Sequence, residues 1–422
     1  MSAPGTSRRR VVVTGLGAVT PVGLDVRSTW SAIVGGRSGI RAITAFDPSR
    51  VACRIAGEVV NADPSRVLDR KAIRRTDRCT HLALLATQEA LADAGLPERL
   101  EGELAESTGT IIGTGLGGSP TLFEEIITLV TRGPDRVSPF FIPMTIPNMP
   151  AGEVAIRFGA QGPSLATVSA CASAGHAIGE AGEMILRGDA EVMLAGGAES
   201  PVVEGLLAGF GNMRALSTRN DDPAGASRPF DCARDGFVIA EGSATLVLEE
   251  LGHAERRGAR IYAELLGYAS SADAYHVTQP APGGAGAVRA GRRALVKAGS
   301  SADEIDLISA HATSTPDGDA AELAGLLTLL GAHAPAVSIT ATKSSVGHTL
   351  GAAGAIASVV AITAMGEGVV PPTLNLVEPD PAGAGLDLTP LVARNRRADT
   401  TLVNAFGFGG QNTSLVLRRW GA

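Results

Sequence analysis

Short β-branched runs alternate with stretches of helical periodicity along nearly the whole chain. Apolar runs bounded by glycine predict strands at residues 10–15, 107–113, 165–169, 191–195, 244–248, 261–267, 305–311, 337–340, 402–406 and 413–417. Apolar residues at helical spacing predict helices at residues 80–95, 176–186, 286–298, 319–330 and 351–365. Strands that alternate with helices pack as layers, so this pattern predicts an α/β fold.

The order of these predicted elements is similar in the two halves of the chain. A length of 422 residues also exceeds that of an average single domain. We therefore expect two similar halves, residues 1–258 and residues 259–422. No short repeat of the kind that builds solenoids is present in the sequence.

Charge and cysteine placement argue against several classes of function. A net charge of −7 at pH 7 gives no support for nucleic acid as a partner. The four cysteines are scattered without a C-x-x-C pair, and no two histidines have metal-ligand spacing on a helix. We therefore expect no disulfide framework, no metal and no other cofactor. No apolar run reaches a membrane-spanning length and no signal-peptide core follows the basic N-terminus, so we expect a cytoplasmic protein without membrane contact.

Cys171 lies where a predicted strand turns into a predicted helix, with small residues at positions 170 and 172–175. Small neighbours let a substrate approach a nucleophile held at such a turn. A helix N-terminus also favours a thiolate, which predicts a lowered pKa for the Cys171 thiol. A buried structural cysteine is the alternative interpretation, and position alone leaves both open.

Two histidines follow predicted strands in the second half of the chain. His311 ends the predicted strand at 305–311 beside a Ser/Thr-rich turn, the usual place for a catalytic residue of an α/β sheet. His348 comes just before the helix predicted at 351–365, with Lys343 five residues earlier on the same loop. Taken singly, a satisfied loop histidine and a surface lysine are the simpler interpretations.

The joint occurrence of these motifs in this order resembles one enzyme family, the β-ketoacyl-acyl-carrier-protein synthases, and especially the elongating type II enzyme of bacterial fatty acid synthesis. The resemblance runs from Val11 to Leu417. It includes Val-Ser-Ala-Cys ending at Cys171 and Thr-Lys-Ser-Ser-Val-Gly-His ending at His348. Near the C-terminus, glycines bracket two phenylalanines in Phe-Gly-Phe-Gly-Gly, a turn whose backbone N–H groups are free to point at a ligand.

The resemblance implies a role for each motif residue. Cys171 would take the acyl chain from acyl carrier protein as a thioester. His311 and His348 would bind the carbonyl of the malonyl thioester and favour loss of CO2, and the resulting carbanion would attack the acyl group. The backbone N–H groups of Cys171 and Phe408 would form the oxyanion hole. Such an acyltransferase extends the chain by two carbons.

Further residues carry over from the family in the same way. Lys343 would pair with Glu322 and order the histidine loop, and Phe408 would be the gate of the acyl pocket. The pocket would be lined by Leu116, Phe141, Leu206 and Phe210, and substrate would also be bound by Thr313, Thr315 and Phe406. Ala312 departs from the family, which usually has glycine after this histidine.

The resemblance also implies the fold and the partners. The fold would be the five-layered αβαβα thiolase fold of two similar halves. The partners would be acyl- and malonyl-loaded acyl carrier protein, together with either a second copy of the chain or a chain-length-factor-like subunit. Acyl carrier proteins are acidic, so a local basic patch would steer them in. Helical spacing places Lys71, Arg75 and Arg78 on one face. The candidate docking residues are Arg70, Lys71, Arg74, Arg75 and Arg214.

Three alternatives remain open at this point. The chain could be the ketosynthase subunit of a type II polyketide synthase that works with a chain-length-factor partner. A thiolase would share the fold, but it needs a second cysteine near the C-terminus and none follows Cys232. A non-catalytic scaffold would be expected to lack a member of the Cys171, His311 and His348 set, and all three are present.

Overall fold

The computed structural model describes residues 9–422, which form one large mixed sheet with helices packed around it. Ten strands belong to this sheet, and two small two-stranded ribbons lie outside it. The strands are β1 (Val11–Val19), β2 (Ile40–Ala42), β3 (Ile55–Gly57), β4 (Thr108–Gly113), β5 (Ser164–Leu165), β6 (Val192–Glu199), β7 (Gly242–Glu250), β8 (Ala263–Ala272), β9 (Leu307–Ser309), β10 (Ser338–Thr340), β11 (Val369–Val370), β12 (Arg394–Asn395), β13 (Thr400–Gly407) and β14 (Gln411–Arg419).

The helices comprise long packed segments and several short turns. They are α1 (Val26–Val34), α2 (Arg70–Ile73), α3 (Arg78–Asp93), α4 (Gly102–Glu106), α5 (Ser119–Arg132), α6 (Phe141–Thr145), α7 (Met149–Phe158), α8 (Ser173–Arg187), α9 (Glu204–Asn212), α10 (Leu251–Arg256), α11 (Ala285–Ala298), α12 (Pro316–Leu330), α13 (Lys343–Val346) and α14 (Ala353–Glu367). Each strand and helix expected from sequence overlaps one of these elements, so those predictions are confirmed.

The two halves of the sheet have the same topology. The first half runs in the order β5-β4-β6-β7-β1 and the second in the order β10-β9-β13-β14-β8. In each half the first two of these pairings are parallel and the last two are antiparallel. A short antiparallel pairing of Val12 and Val13 with Glu264 and Ala263 joins β1 to β8. The expected pair of similar halves is therefore confirmed, whereas the boundary between residues 258 and 259 stays a prediction.

The helices form three layers around the two halves of the sheet. Helices α3 and α7 pack on the first half, and α11 packs on the second with α12 beside it. Helices α8 and α14 contact strands of both halves and each other, so they form the middle layer. The result is the expected five-layered αβαβα arrangement.

Helix α14 shows why the middle layer is so apolar. Twelve of its fifteen residues are buried, and apolar side chains surround the whole helix. A helix that is apolar all round is one that is enclosed on every side. The stretch Leu350–Glu367 is long and apolar enough to cross a membrane, contrary to the sequence expectation, but 83% of it is buried inside the protein.

Candidate active site

Cys171 is held at a strained turn between β5 and α8. The residue before it, Ala170, has a φ of +50°, which costs a residue with a Cβ roughly 1–2 kcal/mol. Helix α8 begins at Ser173, so the cysteine precedes the first helical turn. Gly407 allows the β13–β14 turn to approach, because a Cβ there would lie 2.6 Å from the Ser169 carbonyl oxygen. The local backbone therefore presents one thiol between two segments from different halves.

The structure brings both histidines to this thiol. His348 lies on the loop that leads into α14, and its Nε2 is 3.0 Å from the Cys171 Sγ. His311 follows β9, and its ring centroid lies 5.4 Å from that of His348 in an edge-to-face arrangement. Both histidines are buried, with 8% and 2% of their surface exposed. One thiol and two imidazoles thus face a single point.

Burial dominates the ionisation of Cys171. It raises the pKa of the thiol to about 12, although Lys343 and the backbone N–H groups of Phe408 and Cys171 lower it. The expectation of a lowered pKa is therefore wrong for the free chain, because desolvation outweighs the influences that lower the pKa. The same N–H groups that approach the sulfur are the two expected to bind an oxyanion.

The two histidines are neutral at ordinary pH. Burial lowers the pKa of His311 and His348 well below the usual value of 6.5, and the Lys343 ammonium lowers both further. A neutral imidazole carries one N–H and one acceptor nitrogen. Lys343 Nζ lies 3.5 Å from Nδ1 of His311, which favours the tautomer that has its proton on Nε2. His311 is thereby prepared to donate from Nε2.

Lys343 and Glu322 hold the His311 peptide from opposite sides. The Glu322 carboxylate accepts hydrogen bonds from the backbone N–H groups of His311 (2.8 Å) and Ala312 (2.6 Å). Lys343 Nζ donates to the His311 carbonyl oxygen. Burial raises the pKa of Glu322 and lowers that of Lys343, while the attraction between their charges opposes both shifts. Within residues 9–422 the two groups meet through the backbone of His311 rather than through a direct salt bridge, and the expected pairing of Lys343 with Glu322 stays a prediction.

The thiol and histidines open into a cavity of about 680 Å³. Its wall includes six of the expected substrate-contacting residues: Leu116, Phe210, Thr313, Thr315, Phe406 and Phe408. Phe141, on α6, and Leu206, on α9, do not line it. Polar residues that the sequence analysis did not identify lie on the wall as well: Asp273, Thr278, Gln279 and Asn412.

Two buried carboxylates beside the site were also missed. Asp319 accepts from the backbone N–H groups of Phe230 and Ser314, and burial raises its pKa to about 6. Glu199 accepts four hydrogen bonds at the end of β6, and burial raises its pKa to about 7. The Gly-Gly-Ala-Glu sequence at 196–199 was the only signal for the second. Within residues 9–422, no cluster of three His, Cys, Asp or Glu side chains could hold a metal.

The expected basic face is only partly present. Arg70, Lys71, Arg74 and Arg75 are exposed, and Arg214 is exposed at the cavity wall. Helix α2 ends at Ile73 and a new helix begins at Arg78, so helical spacing does not extend across the segment. Arg78 instead forms an ion pair with the Glu241 carboxylate at 2.6 Å. The single helical face of Lys71, Arg75 and Arg78 is therefore wrong, because no helix runs through residues 74–77 and Arg78 is paired with Glu241.

The chain is similar to known proteins over almost its whole length. Two family models match it: the one described as Beta-ketoacyl synthase, N-terminal domain, at residues 8–254, and the corresponding C-terminal domain at residues 262–377. A 3-oxoacyl-[acyl-carrier-protein] synthase 2 from Synechocystis sp. is 47% identical over 414 residues, which are 98% of this chain and 99% of that protein. The synthase of the same name from Coxiella burnetii is 45% identical over 412 residues, 98% and 99% of the two chains.

Solved structures are similar at the level of the fold as well. A β-ketoacyl synthase from Burkholderia phymatum superposes with a TM-score of 0.91 at 37% identity, covering 97% of this chain and 99% of that one. A ketosynthase complex of a type II polyketide synthase, with its acyl-carrier protein and a bound hexaketide, gives a TM-score of 0.89 at 33% identity. That match covers 98% of this chain and 100% of the other.

Proposed function

The chain belongs to the β-ketoacyl synthase family, and from this premise we propose that it condenses malonyl-acyl carrier protein with an acyl chain held on Cys171. The product is a β-ketoacyl chain two carbons longer, as in fatty acid elongation. The observation that carries the proposal is the 3.0 Å contact between His348 Nε2 and the Cys171 sulfur, with His311 beside it. Only a site built for both acyl transfer and oxyanion binding needs that set together.

The first step transfers the acyl group to the enzyme. The Cys171 sulfur attacks the thioester carbonyl and releases its thiol proton. His348 keeps its proton on Nε2, 3.0 Å from the sulfur, and the backbone N–H groups of Cys171 and Phe408 stabilise the oxyanion of the tetrahedral intermediate. The carrier thiolate leaves and takes up the released proton, so the step exchanges one thioester for another and yields a free carrier thiol.

The second step removes CO2 from the malonyl thioester. As the carbon–carbon bond to the carboxylate breaks, its electron pair forms an enolate and negative charge grows on the thioester oxygen. Neutral His311 and His348 donate from Nε2 to that oxygen, each worth about 3 kcal/mol in a desolvated site. The low pKa of both imidazoles keeps them as neutral donors rather than cations.

The third step joins the two substrates. The enolate carbon attacks the acyl-Cys171 carbonyl, the N–H pair again holds the oxyanion, and the carbon–sulfur bond breaks. The cysteine leaves as a thiolate and gains one proton from solvent through the open cavity. Lys343 and Glu322 act through the His311 peptide, so they are positioning residues in this scheme.

An acidic carrier protein would dock beside the cavity. Arg70, Lys71, Arg74 and Arg75 offer exposed positive charge to it on a chain whose overall charge is −7. Arg214 adds charge at the cavity wall. The polyketide ketosynthase complex supports docking of a carrier on this fold, because it contains an acyl-carrier protein in complex with its ketosynthase.

The partner subunit is a second copy of this chain. Strand β5 is one of the two edges of the ten-stranded sheet, and Val168 just beyond it is exposed. Exposed apolar side chains gather on the neighbouring helices α5 and α6: Leu122, Ile126, Ile127, Leu129, Val130, Ile142. An unpaired edge and an apolar patch favour pairing with another sheet. Light scattering that showed a monomer at micromolar concentration would contradict this proposed dimer. The expected cytoplasmic location also stays a prediction.

Fatty acid elongation is favoured over the polyketide alternative. The relatives named 3-oxoacyl-[acyl-carrier-protein] synthase 2 are 45–47% identical, whereas the polyketide ketosynthase complex is 33% identical. A chain-length-factor partner is therefore not required by the proposal.

Mass spectrometry of the purified protein with acyl and malonyl carrier proteins tests the function directly. We expect acylation at Cys171 and a product two carbons longer, with neither in Cys171→Ala. Acylation that required an added chain-length-factor subunit would overturn the fatty acid assignment. Absence of acyl transfer in both preparations would overturn the condensing activity itself.

A further inference from the structure

Glu199 ends β6 as a fully buried carboxylate with four hydrogen-bond donors around it. Oε1 accepts from the Thr114 hydroxyl (2.8 Å) and the Leu116 N–H (3.1 Å). Oε2 accepts from the Gly115 N–H (2.6 Å) and the Gly351 N–H (2.8 Å). A buried charge is tolerated only when it is satisfied in this way, and the geometry of its partners is then strongly restricted.

The four donors belong to two chain segments that both contribute residues to the cavity wall. Gly115 and Leu116 line it just after β4. Gly351 follows His348 and Leu350, which line it as well. The side chains of Leu116 and Leu350 pack in the same apolar cluster as Cys171. Glu199 is therefore the point at which the two segments beside the acyl thioester are tied together.

Glycine at 351 makes this joint possible. A Cβ at that position would lie 2.6 Å from Oε2 of Glu199 and would overlap the Gly115 nitrogen. The backbone of Gly351 thus lies against that of Gly115, and the N–H groups of both residues donate to the Glu199 carboxylate. A shift of the carboxylate would move both segments rather than a single side chain.

We propose that Glu199 is a positioning residue that sets acyl-chain selectivity by fixing the place of Leu116 on the pocket wall. The inference rests on the proposed condensing function and deepens it. Within residues 9–422, Glu199 forms no hydrogen bond with the Cys171 thiol or with the two imidazoles. It therefore acts through residues 114–116 and Gly351. Its position differs from that of Glu322, which holds the His311 peptide.

The change Glu199→Gln separates the two segments. An amide offers one acceptor oxygen and one NH2 donor, so it cannot satisfy all three backbone N–H groups. If the amide oxygen of the glutamine still accepts from Gly115 and Gly351, its NH2 group faces Thr114 and Leu116. The Thr114 hydroxyl can accept a hydrogen bond from this group, whereas the Leu116 N–H cannot. The variant therefore releases Leu116 while it leaves the segment after His348 in place.

Glu249 offers a matched control. It is equally buried, on β7, and accepts from His253 Nδ1 at 2.6 Å and from Arg257 Nε at 2.9 Å. None of these residues lines the cavity. Glu249→Gln therefore makes the same chemical change in an equally buried carboxylate, away from the acyl pocket.

The test measures kcat/KM for a short and a long acyl carrier protein, with malonyl decarboxylation measured separately. For Glu199→Gln we expect the ratio of the two kcat/KM values to change about tenfold, the worth of one lost hydrogen bond to a charge. Decarboxylation should stay within about twofold, since the donors of His311 and His348 are unchanged. Glu249→Gln should keep the wild-type ratio.

An unchanged ratio in a folded Glu199→Gln enzyme would overturn the proposal. If that variant does not fold, as judged by circular dichroism, Thr114→Val removes one donor and should shift the ratio in the same direction by a smaller factor. A wild-type ratio there would also overturn it. A wild-type protein that condenses no carrier at all would instead overturn the proposed function.

Discussion

The crossing from β5 to α8 and the crossing from β10 to α14 occupy equivalent places in the two halves of the sheet, yet they deliver different chemistry. The first is short and places Cys171 two residues before its helix. The second is longer: α13 and the loop that holds His348 come before α14. Repetition of the fold thus supplies a common frame, and the length of one connection decides whether it presents a nucleophile or a proton donor.

Replacement of the nucleophile should separate the halves most clearly. In Cys171→Ala, condensation should fall by roughly 10³-fold or more, because no acyl thioester can form. Decarboxylation of malonyl carrier protein should persist, since the histidine half is intact. Product formation and CO2 release are measured side by side. A fall in CO2 release together with condensation would contradict this separation of roles between the two halves.

Replacement of one histidine should have the converse effect. In His311→Ala, decarboxylation should fall about 10²- to 10³-fold through loss of one oxyanion donor. Acylation of Cys171 should remain close to wild type, because His348 is the imidazole at 3.0 Å from the sulfur. Rapid-quench mass spectrometry follows acylation, and His253→Ala, on the surface helix α10, is the control. Slow acylation in His311→Ala would show that the division of roles is wrong.

Acid and alkali should destabilise different halves. The pKa of His348 in the folded chain is well below 6.5, so its contribution to stability is present above pH 6.5 and is lost as pH falls. The pKa of Cys171 is raised, so its contribution is present below about pH 9 and is lost as pH rises toward 12.

The free energy of unfolding should fall as pH falls below 6.5. We expect His348→Gln to reduce the slope of this acid limb by up to about 1.4 kcal/mol per pH unit. Cys171→Ala should leave that limb unchanged and flatten only the alkaline limb. Urea titrations between pH 5.5 and pH 10 measure both limbs. Parallel pH profiles for wild type and His348→Gln would contradict the assignment.

The basic segment tests whether docking belongs to the cysteine half. Lys71→Glu combined with Arg74→Glu should raise KM for acyl carrier protein about tenfold, with little change in kcat, because both charges lie outside the catalytic set. Wild-type KM should rise with salt, and that of the variant should rise less. Arg293→Glu, at an exposed arginine on α11 in the other half of the chain, serves as the control. Equal salt dependence in both enzymes would argue against docking here.

The smallest effects concern two strained alanines, one beside each catalytic residue. Ala170 precedes Cys171 and Ala312 follows His311, with φ values of +50° and +38°. In Ala312→Gly, relief of about 1–2 kcal/mol of strain opposes the loss of about 0.8 kcal/mol from one buried methyl group. Stability by urea titration should therefore change by less than about 1 kcal/mol. A loss above about 2 kcal/mol would show that the methyl group, not the backbone, decides this position.

The layered fold and the meeting of Cys171 with two histidines could be predicted because strong local signals marked them. Strands such as β1 are continuous apolar runs, and Cys171 lies at a glycine- and alanine-rich turn. Helices α5, α7 and α9 were missed, since proline and glycine interrupt or flank their patterns. Local periodicity carries no information on which residues such helices will contact.

Long-range electrostatics could not be predicted from the motifs. Glu322 was expected to pair with Lys343, and the folded chain shows in addition that its carboxylate accepts hydrogen bonds from the backbone N–H groups of His311 and Ala312. The pKa of Cys171 was expected to fall, whereas enclosure by the second half of the chain raises it. The sequence identifies the groups, and burial by distant segments decides how they behave.

The protonated resting thiol has a consequence for reactivity toward foreign molecules. Peroxides and alkylating agents react with thiolates, and burial keeps Cys171 almost entirely in the thiol form. The free enzyme should therefore resist oxidative inactivation. A covalent inhibitor would then derive its potency from filling the cavity and engaging His348, rather than from a more aggressive electrophile.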